Sequence, residues 1–119
     1  MEFEIQPGYD ALEEIAALFA EYTGMLVASD PEFKRYLDVQ GYDAEAANPG
    51  HKYAMPGGRL YLARHEGKPV ACAALRRIDD RRCEMKRLYV RPEFHGNHLG
   101  RILVEKILTC FYLLCSYTK

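Results

Sequence analysis

The sequence predicts an α+β fold, a mixed α/β architecture with elements in the order β-α-α-β-β-β-α. Three observations carry this reading. Apolar residues recur at helical spacing over residues 10–27 and again after His98. Three apolar runs with strand-like patterning lie between residues 59 and 90, joined by the short turns Glu66-Gly67 and 79–82. The length, 119 residues, is that of one domain, and 49% hydrophobic with 28% charged residues is a globular composition. We therefore expect one domain over residues 1–119.

Residues 2–6 alternate, with Phe3 and Ile5 on one side, and read as a strand. Pro7-Gly8 is expected to break it, and Asp10 to cap the helix that follows. Leu12, Ile15, Ala16, Phe19, Tyr22 and Leu26 give that helix an apolar face. Pro31 opens a shorter helix over 31–39. Residues 40–58, with Asn48-Pro49-Gly50 and Pro56-Gly57-Gly58, read as a long irregular loop. Strands are expected over 59–65, 70–78 and 83–90, making an antiparallel meander. Arg91-Pro92 ends the last strand. Leu99, Ile102, Leu103, Ile107, Cys110 and Leu114 mark a third helix opening near His98.

Net charge is −1, which argues against a general nucleic-acid binder. The mean conceals an asymmetry. Residues 1–50 carry 11 acids and two bases, or −9, and residues 51–119 carry 14 bases and six acids, or +8. Two readings stay open: two solvated faces, or an anion site in the second half facing a cation-tolerant wall. No apolar run reaches the ~18 residues of a membrane span, and the N-terminus lacks a signal-peptide pattern, so a cytoplasmic protein is expected. Cys72, Cys83, Cys110 and Cys115 form no C-x-x-C pair. They read as reduced, buried small side chains, and no metal is expected.

The informative stretch is 83–104. A strand runs into a Gly-containing loop and then a helix N-terminus, where unpaired N–H groups and the helix dipole converge. Such a site suits a phosphate or another anion. Gly96 and Gly100 allow close approach of a ligand, and Arg91 and Arg101 flank the loop. The alternative is an ordinary strand–helix turn with Asn97 as the cap.

The run Leu88-Tyr89-Val90-Arg91-Pro92 followed by the glycine loop and helix resembles motif A of the GNAT (GCN5-related) N-acetyltransferases. The likeness extends back through 57–63 and 84–88 and covers about residues 1–108. It implies a GNAT-like acyl-CoA N-acyltransferase fold. It also implies transfer of an acetyl group from acetyl-CoA to an amine of a small molecule or peptide. The resemblance assigns coenzyme binding to Leu88, Tyr89 and Val90 on the strand. It assigns the pyrophosphate to His95, Gly96, Asn97, His98, Leu99, Gly100 and Arg101. Glu84 matches the family's general-base carboxylate, which would take the proton of the acceptor ammonium. Alternation would put Glu84, Lys86, Leu88 and Val90 on one strand face. The other reading of Glu84 is a surface pair with a neighbouring arginine. Backbone N–H near Leu88 would stabilise the oxyanion of acyl transfer.

Two residues depart from the family pattern. His95 replaces the usual Arg or Gln, and His98 replaces a glycine. Either could crowd the phosphates, or protonate and pair with them. The family's later strands have no counterpart in residues 109–119, so the chain is expected to be truncated after motif A, with an atypical tail. Residues 108–115 are apolar on nearly every helical face, and strand 83–90 would be an open edge. A homo-oligomer, most simply a dimer, covering this tail is expected. The alternative function is an inactive GNAT remnant that only binds coenzyme A or a protein partner. Helices and loop at 8–58 would wall the acceptor side, and their acidic character would suit a cationic amine. Partners of other kinds, nucleic acid or membrane, are not expected.

Overall fold

The computed structural model describes residues 2–39 and 41–115, with side chains described up to Cys110 except at positions 39 and 46. β1 (Glu4–Pro7) leads into α1 (Leu12–Ser29), α2 (Phe33–Val39), α3 (Tyr42–Ala47) and α4 (Pro49–Lys52). Then come β2 (Gly58–His65), β3 (Lys68–Arg77), β4 (Cys83–Val90), a 3₁₀ turn (Pro92–Phe94) and α5 (Leu99–Cys115). The four strands form one sheet in sequence order, with each neighbouring pair antiparallel. Short connections favour this meander, because sequential strands pair without a crossover.

Both faces of the sheet are covered, which explains the unbroken burial of Val70 to Leu75 in β3. On one face α1 packs Ile15, Leu18 and Phe19 against Tyr53, Leu60, Leu62, Cys72, Ala74 and Tyr89. On the other, α5 packs Leu99, Leu103, Ile107 and Cys110 against Tyr61, Ala63, Val70, Ala71, Ala73 and Leu75. Fully burying each large aliphatic or aromatic side chain contributes about 1.5–3 kcal/mol.

Several expectations are corrected. The first strand ends at Pro7, which still pairs with Tyr61 at the end of the ladder, and it begins at Glu4 rather than at residue 2. Asp10 does not cap α1. Ala11 sits at the cap position without a side-chain bond, and its N–H donates to the Gly8 carbonyl at 3.0 Å. Ile102 is 41% exposed rather than part of the buried α5 face. Residues 40–58 are not a loop throughout but hold α3 and α4. These helices are six and four residues long, too short to show an apolar period. Tertiary contacts hold them in place. Tyr53 is fully buried against Phe19, and a Cβ on Gly58 would lie 2.5 Å from the Tyr53 carbonyl carbon. Only glycine permits that approach of β2 to the end of α4.

The tail falls partly outside the description. α5 continues to Cys115, while residues 116–119 and the side chains of 111–115 lie beyond the described residues, so the apolar faces read there are not located. Among the described residues, β4 has a neighbouring strand on one side only.

Candidate functional site

β4 is not a regular strand. Cys72 pairs with Tyr89 but Ala74 pairs with Lys86, so β4 spends three residues where β3 spends two. Arg87 sits at this bulge with φ +58°. The extra residue breaks the alternation. Glu84, Lys86, Arg87 and Tyr89 fall on the α1 side, while Leu88 and Val90 pack on the α5 side. The expected single face of Glu84, Lys86, Leu88 and Val90 is therefore split in two.

On the α5 side, a cleft of about 440 Å³ opens between the end of β4 and the start of α5. Leu88, Val90, Phe94, His95, Gly96, His98, Leu99 and Gly100 line it. The first bond of α5 runs from the Ile102 N–H to the His98 carbonyl at 3.0 Å. The amides of Leu99, Gly100 and Arg101 precede that bond and have no helical acceptor. They carry the positive end of the α5 dipole. Gly96 turns the loop at φ +85°, and a Cβ there would meet nothing within 4 Å. The space above the loop is open to a ligand.

Not every residue singled out in the sequence lines this cleft. The Tyr89 ring lies on the other face, where its hydroxyl donates to Glu21 at 3.2 Å. Asn97 does not cap α5; its amide donates to the Phe94 carbonyl at 3.1 Å. Arg101 points along α5 and pairs with Glu105 at 3.2 Å. Arg91 is held by Glu21 at 2.6 Å and by the Pro69 carbonyl at 2.7 Å, so it does not flank an anion. Phe94 was not singled out. It packs with Leu88 and Val90 on the α5 side and meets the rings of Phe3 and His65. The signal available was Pro92, which fixes the 3₁₀ turn that presents Phe94.

The histidines differ from one another. His98 holds φ +61°, a conformation that costs a non-glycine residue about 1–2 kcal/mol. His95 Nε2 lies 2.8 Å from the Val90 carbonyl. A carbonyl only accepts, so Nε2 is the protonated nitrogen. The ring occupies the last backbone acceptor of β4.

On the α1 side, Glu84 pairs with Arg76 at 3.2 Å across the ladder. Further along the strand, Arg87 donates to Glu45 at 2.6 and 3.0 Å, and Lys52 joins the same carboxylate at 2.8 Å. Burial alone would raise the Glu45 pKa. The hydrogen bonds from Arg87 and Lys52 outweigh it and hold the carboxyl below its ordinary value. Lys86 is pushed down to about 8, first by burial and then by Lys52 and Arg87. Neither Arg87 nor Glu45 was singled out in the sequence, because a positive φ at arginine and a helix in 40–58 leave no local signature.

Cys72 and Cys110 are buried as expected, Cys83 is half-buried, and the side chain of Cys115 lies outside the described residues. The Cys72 thiol donates to the Arg87 carbonyl at 3.3 Å, and burial pushes its pKa up to about 12. Cys110 lies 3.0 Å from the Tyr61 hydroxyl. Among the described residues, no three His, Cys, Asp or Glu side chains converge as metal ligands, and no helix is long and apolar enough to cross a membrane.

This architecture has relatives. A structure of PaiA N-acetyltransferase from Thermoplasma acidophilum, in complex with coenzyme A, superposes with TM-score 0.72 at 18% identity. It covers 95% of this chain and 74% of that one. A GNAT-family acetyltransferase from Staphylococcus aureus gives TM-score 0.69 at 20% identity, over 96% of this chain and 70% of that one. An uncharacterized N-acetyltransferase from Schizosaccharomyces pombe is 46% identical over 79 residues, which are 65% of this chain and 48% of that protein. The match thus spans about half the length of that relative. The model of the acetyltransferase (GNAT) family matches residues 12–111, which include α1, the whole meander from β2 to β4, the glycine loop and most of α5. With its fold and its sequence in agreement, the chain belongs to the GNAT acetyltransferase family.

Proposed function

We propose that this chain is the coenzyme-binding domain of an N-acetyltransferase that moves an acetyl group from acetyl-CoA to the amine of a small molecule or peptide. The observation that supports it is the cleft between β4 and α5, with its apolar walls and its row of unbonded amides. These residues fit the coenzyme. Leu88, Val90 and Phe94 offer apolar surface to an extended arm, and the amides of Leu99, Gly100 and Arg101 offer donors to a pyrophosphate. His95 fits if its ring leaves the Val90 carbonyl, freeing that acceptor for the arm.

Acetyl-CoA supplies an activated thioester carbonyl. The chain supplies position, a base and an oxyanion donor. Backbone N–H near Leu88, on a strand with a described neighbour on one side only, donates to the carbonyl oxygen as charge develops there. Glu84, paired with Arg76 at 3.2 Å, takes the proton from the acceptor ammonium, directly or through water. The neutral nitrogen then bonds to the carbonyl carbon, the carbon–sulfur bond breaks, and the proton lost by the nitrogen on forming the amide is taken up by the departing thiolate. A second copy of the chain covering the β4 edge completes the slot. Met85 at that edge and Ile102 and Leu108 on α5 are 41–49% exposed, which supports such a contact. The thiols of Cys72 and Cys110 suit a reducing compartment, and we infer a cytoplasmic protein.

Calorimetry with acetyl-CoA tests the reading. Micromolar binding is expected. No binding up to millimolar ligand would overturn it.

A further inference from the structure

A second cleft, also of about 440 Å³, lies on the α1 side of the sheet, beside the proposed base. Glu45, Asn48, His51, Lys52 and Arg76 line it. Arg76 is at once its wall and the partner of Glu84, at 3.2 Å. An arm laid along β4 from Val90 runs toward Glu84, so this cleft is where an acceptor would meet it.

The charge here is the reverse of what the composition suggested. Of the acidic residues of the first half, only Glu45 lines this cleft. Glu14 is taken by Arg64 at 2.6 Å, and Glu21 by Arg91 at 2.6 Å, both away from this cleft. What surrounds the cleft, among the described side chains, is Lys52, Arg76, Lys86 and Arg87 against Glu45 and Glu84. Both carboxylates are already engaged, Glu45 by Arg87 and Lys52, and Glu84 by Arg76. The lining itself sets Lys52 and Arg76 against Glu45, an excess of one positive charge, with the His51 ring beside them. A cationic acceptor would enter against this field, while an anionic group would be drawn in by Arg76 and Lys52.

Resting on the acyltransfer reading above, we propose that the acceptor is a small amine bearing its own anionic group, a carboxylate or a phosphate, which docks on Arg76 and Lys52 beside Glu84. The same field has a second use. It favours loss of the proton from an acceptor ammonium, as Lys52 and Arg87 do at Lys86, where they add to the larger effect of burial in holding the pKa at about 8. The anionic group thus anchors the acceptor, and the cationic wall lightens the task of the base.

The test uses probes matched in size and read at equilibrium, without acetyl-CoA. N-acetylglycinate and inorganic phosphate carry the two anionic chemistries. N-acetylglycinamide and N-acetylputrescine are the neutral and cationic controls. Binding is followed by NMR titration of Lys86. One or both anions should bind at least about tenfold more tightly than either control and raise the Lys86 pKa, and the better anion identifies the group. Arg76→Gln should abolish this preference. Equal binding of neutral and anionic probes, tighter binding of N-acetylputrescine, or no binding of any probe would overturn the proposal. Acetyl-CoA affinity, measured separately, reports on the acyltransfer reading and is not altered by these outcomes.

Discussion

Arg87 on β4 grips Glu45 on α3 through two hydrogen bonds, at 2.6 and 3.0 Å, and the two side chains are only 5% and 1% exposed. This pair joins the acidic first half of the chain to the basic second half. Glu14–Arg64 and Glu21–Arg91 repeat the arrangement, tying α1 to β2 and to the end of β4. Three of the eleven acids of residues 1–50 thus serve as ties between helices and sheet.

Removing one partner of the buried pair should be costly, because it strands the other charge. Glu45→Gln is expected to destabilise the fold by about 3–5 kcal/mol in urea or guanidinium melts. The pH dependence follows from the depressed pKa of Glu45. Its stabilisation is complete above the ordinary carboxylate range and is lost as pH falls through the lowered folded-state value. The wild type should lose this increment on acidification, and Glu45→Gln should lack it. A variant as stable as wild type at pH 7 would show that the pair contributes nothing net.

Gly58→Ala probes the packing of β2 against α4. Its Cβ would lie 2.5 Å from Tyr53 backbone atoms, which cannot yield as a flexible side chain would. A loss of about 1–3 kcal/mol is expected in thermal or chemical melts. Gly57→Ala, where a Cβ meets nothing within 4 Å, serves as the control and should be nearly silent.

His98→Gly should relieve the strain at φ +61°. The relief, about 1–2 kcal/mol, exceeds the added flexibility of the unfolded chain, about 0.4–1 kcal/mol. A net gain of up to about 1 kcal/mol is expected, with acetyl-CoA bound at least as tightly. Weaker binding in this variant would show that the imidazole pairs with the coenzyme instead of crowding it.

Glu84→Gln should abolish most turnover while leaving acetyl-CoA affinity unchanged, since Glu84 lies on the face opposite the coenzyme cleft. The general-base contribution is typically 10²–10⁴-fold, so a drop of about that size in kcat is the expected reading. Unchanged turnover would remove Glu84 from the mechanism.

Light scattering at micromolar protein concentration tests the proposed second copy over the β4 edge. A dimer mass is expected, and a clean monomer would refute it.

Element types were legible because hydrophobic periodicity and turn chemistry are local. Leu12 through Leu26 announced α1, Glu66-Gly67 announced the β2–β3 hairpin, and Pro92 with the glycines announced the end of β4 and the loop that follows. His95, Gly96, His98, Leu99 and Gly100, which line the cleft between β4 and α5 with Leu88 and Val90, stand close together in the chain, so the sequence could single them out as one group. What the sequence by itself determined was thus the order of elements and the place of the loop. Only the tertiary structure decided the rest. The bulge at Arg87 redirects β4 side chains, splitting Glu84 and Lys86 from Leu88 and Val90, and α3 and α4 form because Glu45 and Tyr53 find partners far away in sequence. Charge was the least legible property. Composition counts every carboxylate equally, whereas folding pairs Glu14, Glu21 and Glu45 with distant arginines and leaves the second cleft basic. Which charges remain to face a ligand depends on which ones the fold has already matched, and that is a property of three-dimensional proximity alone.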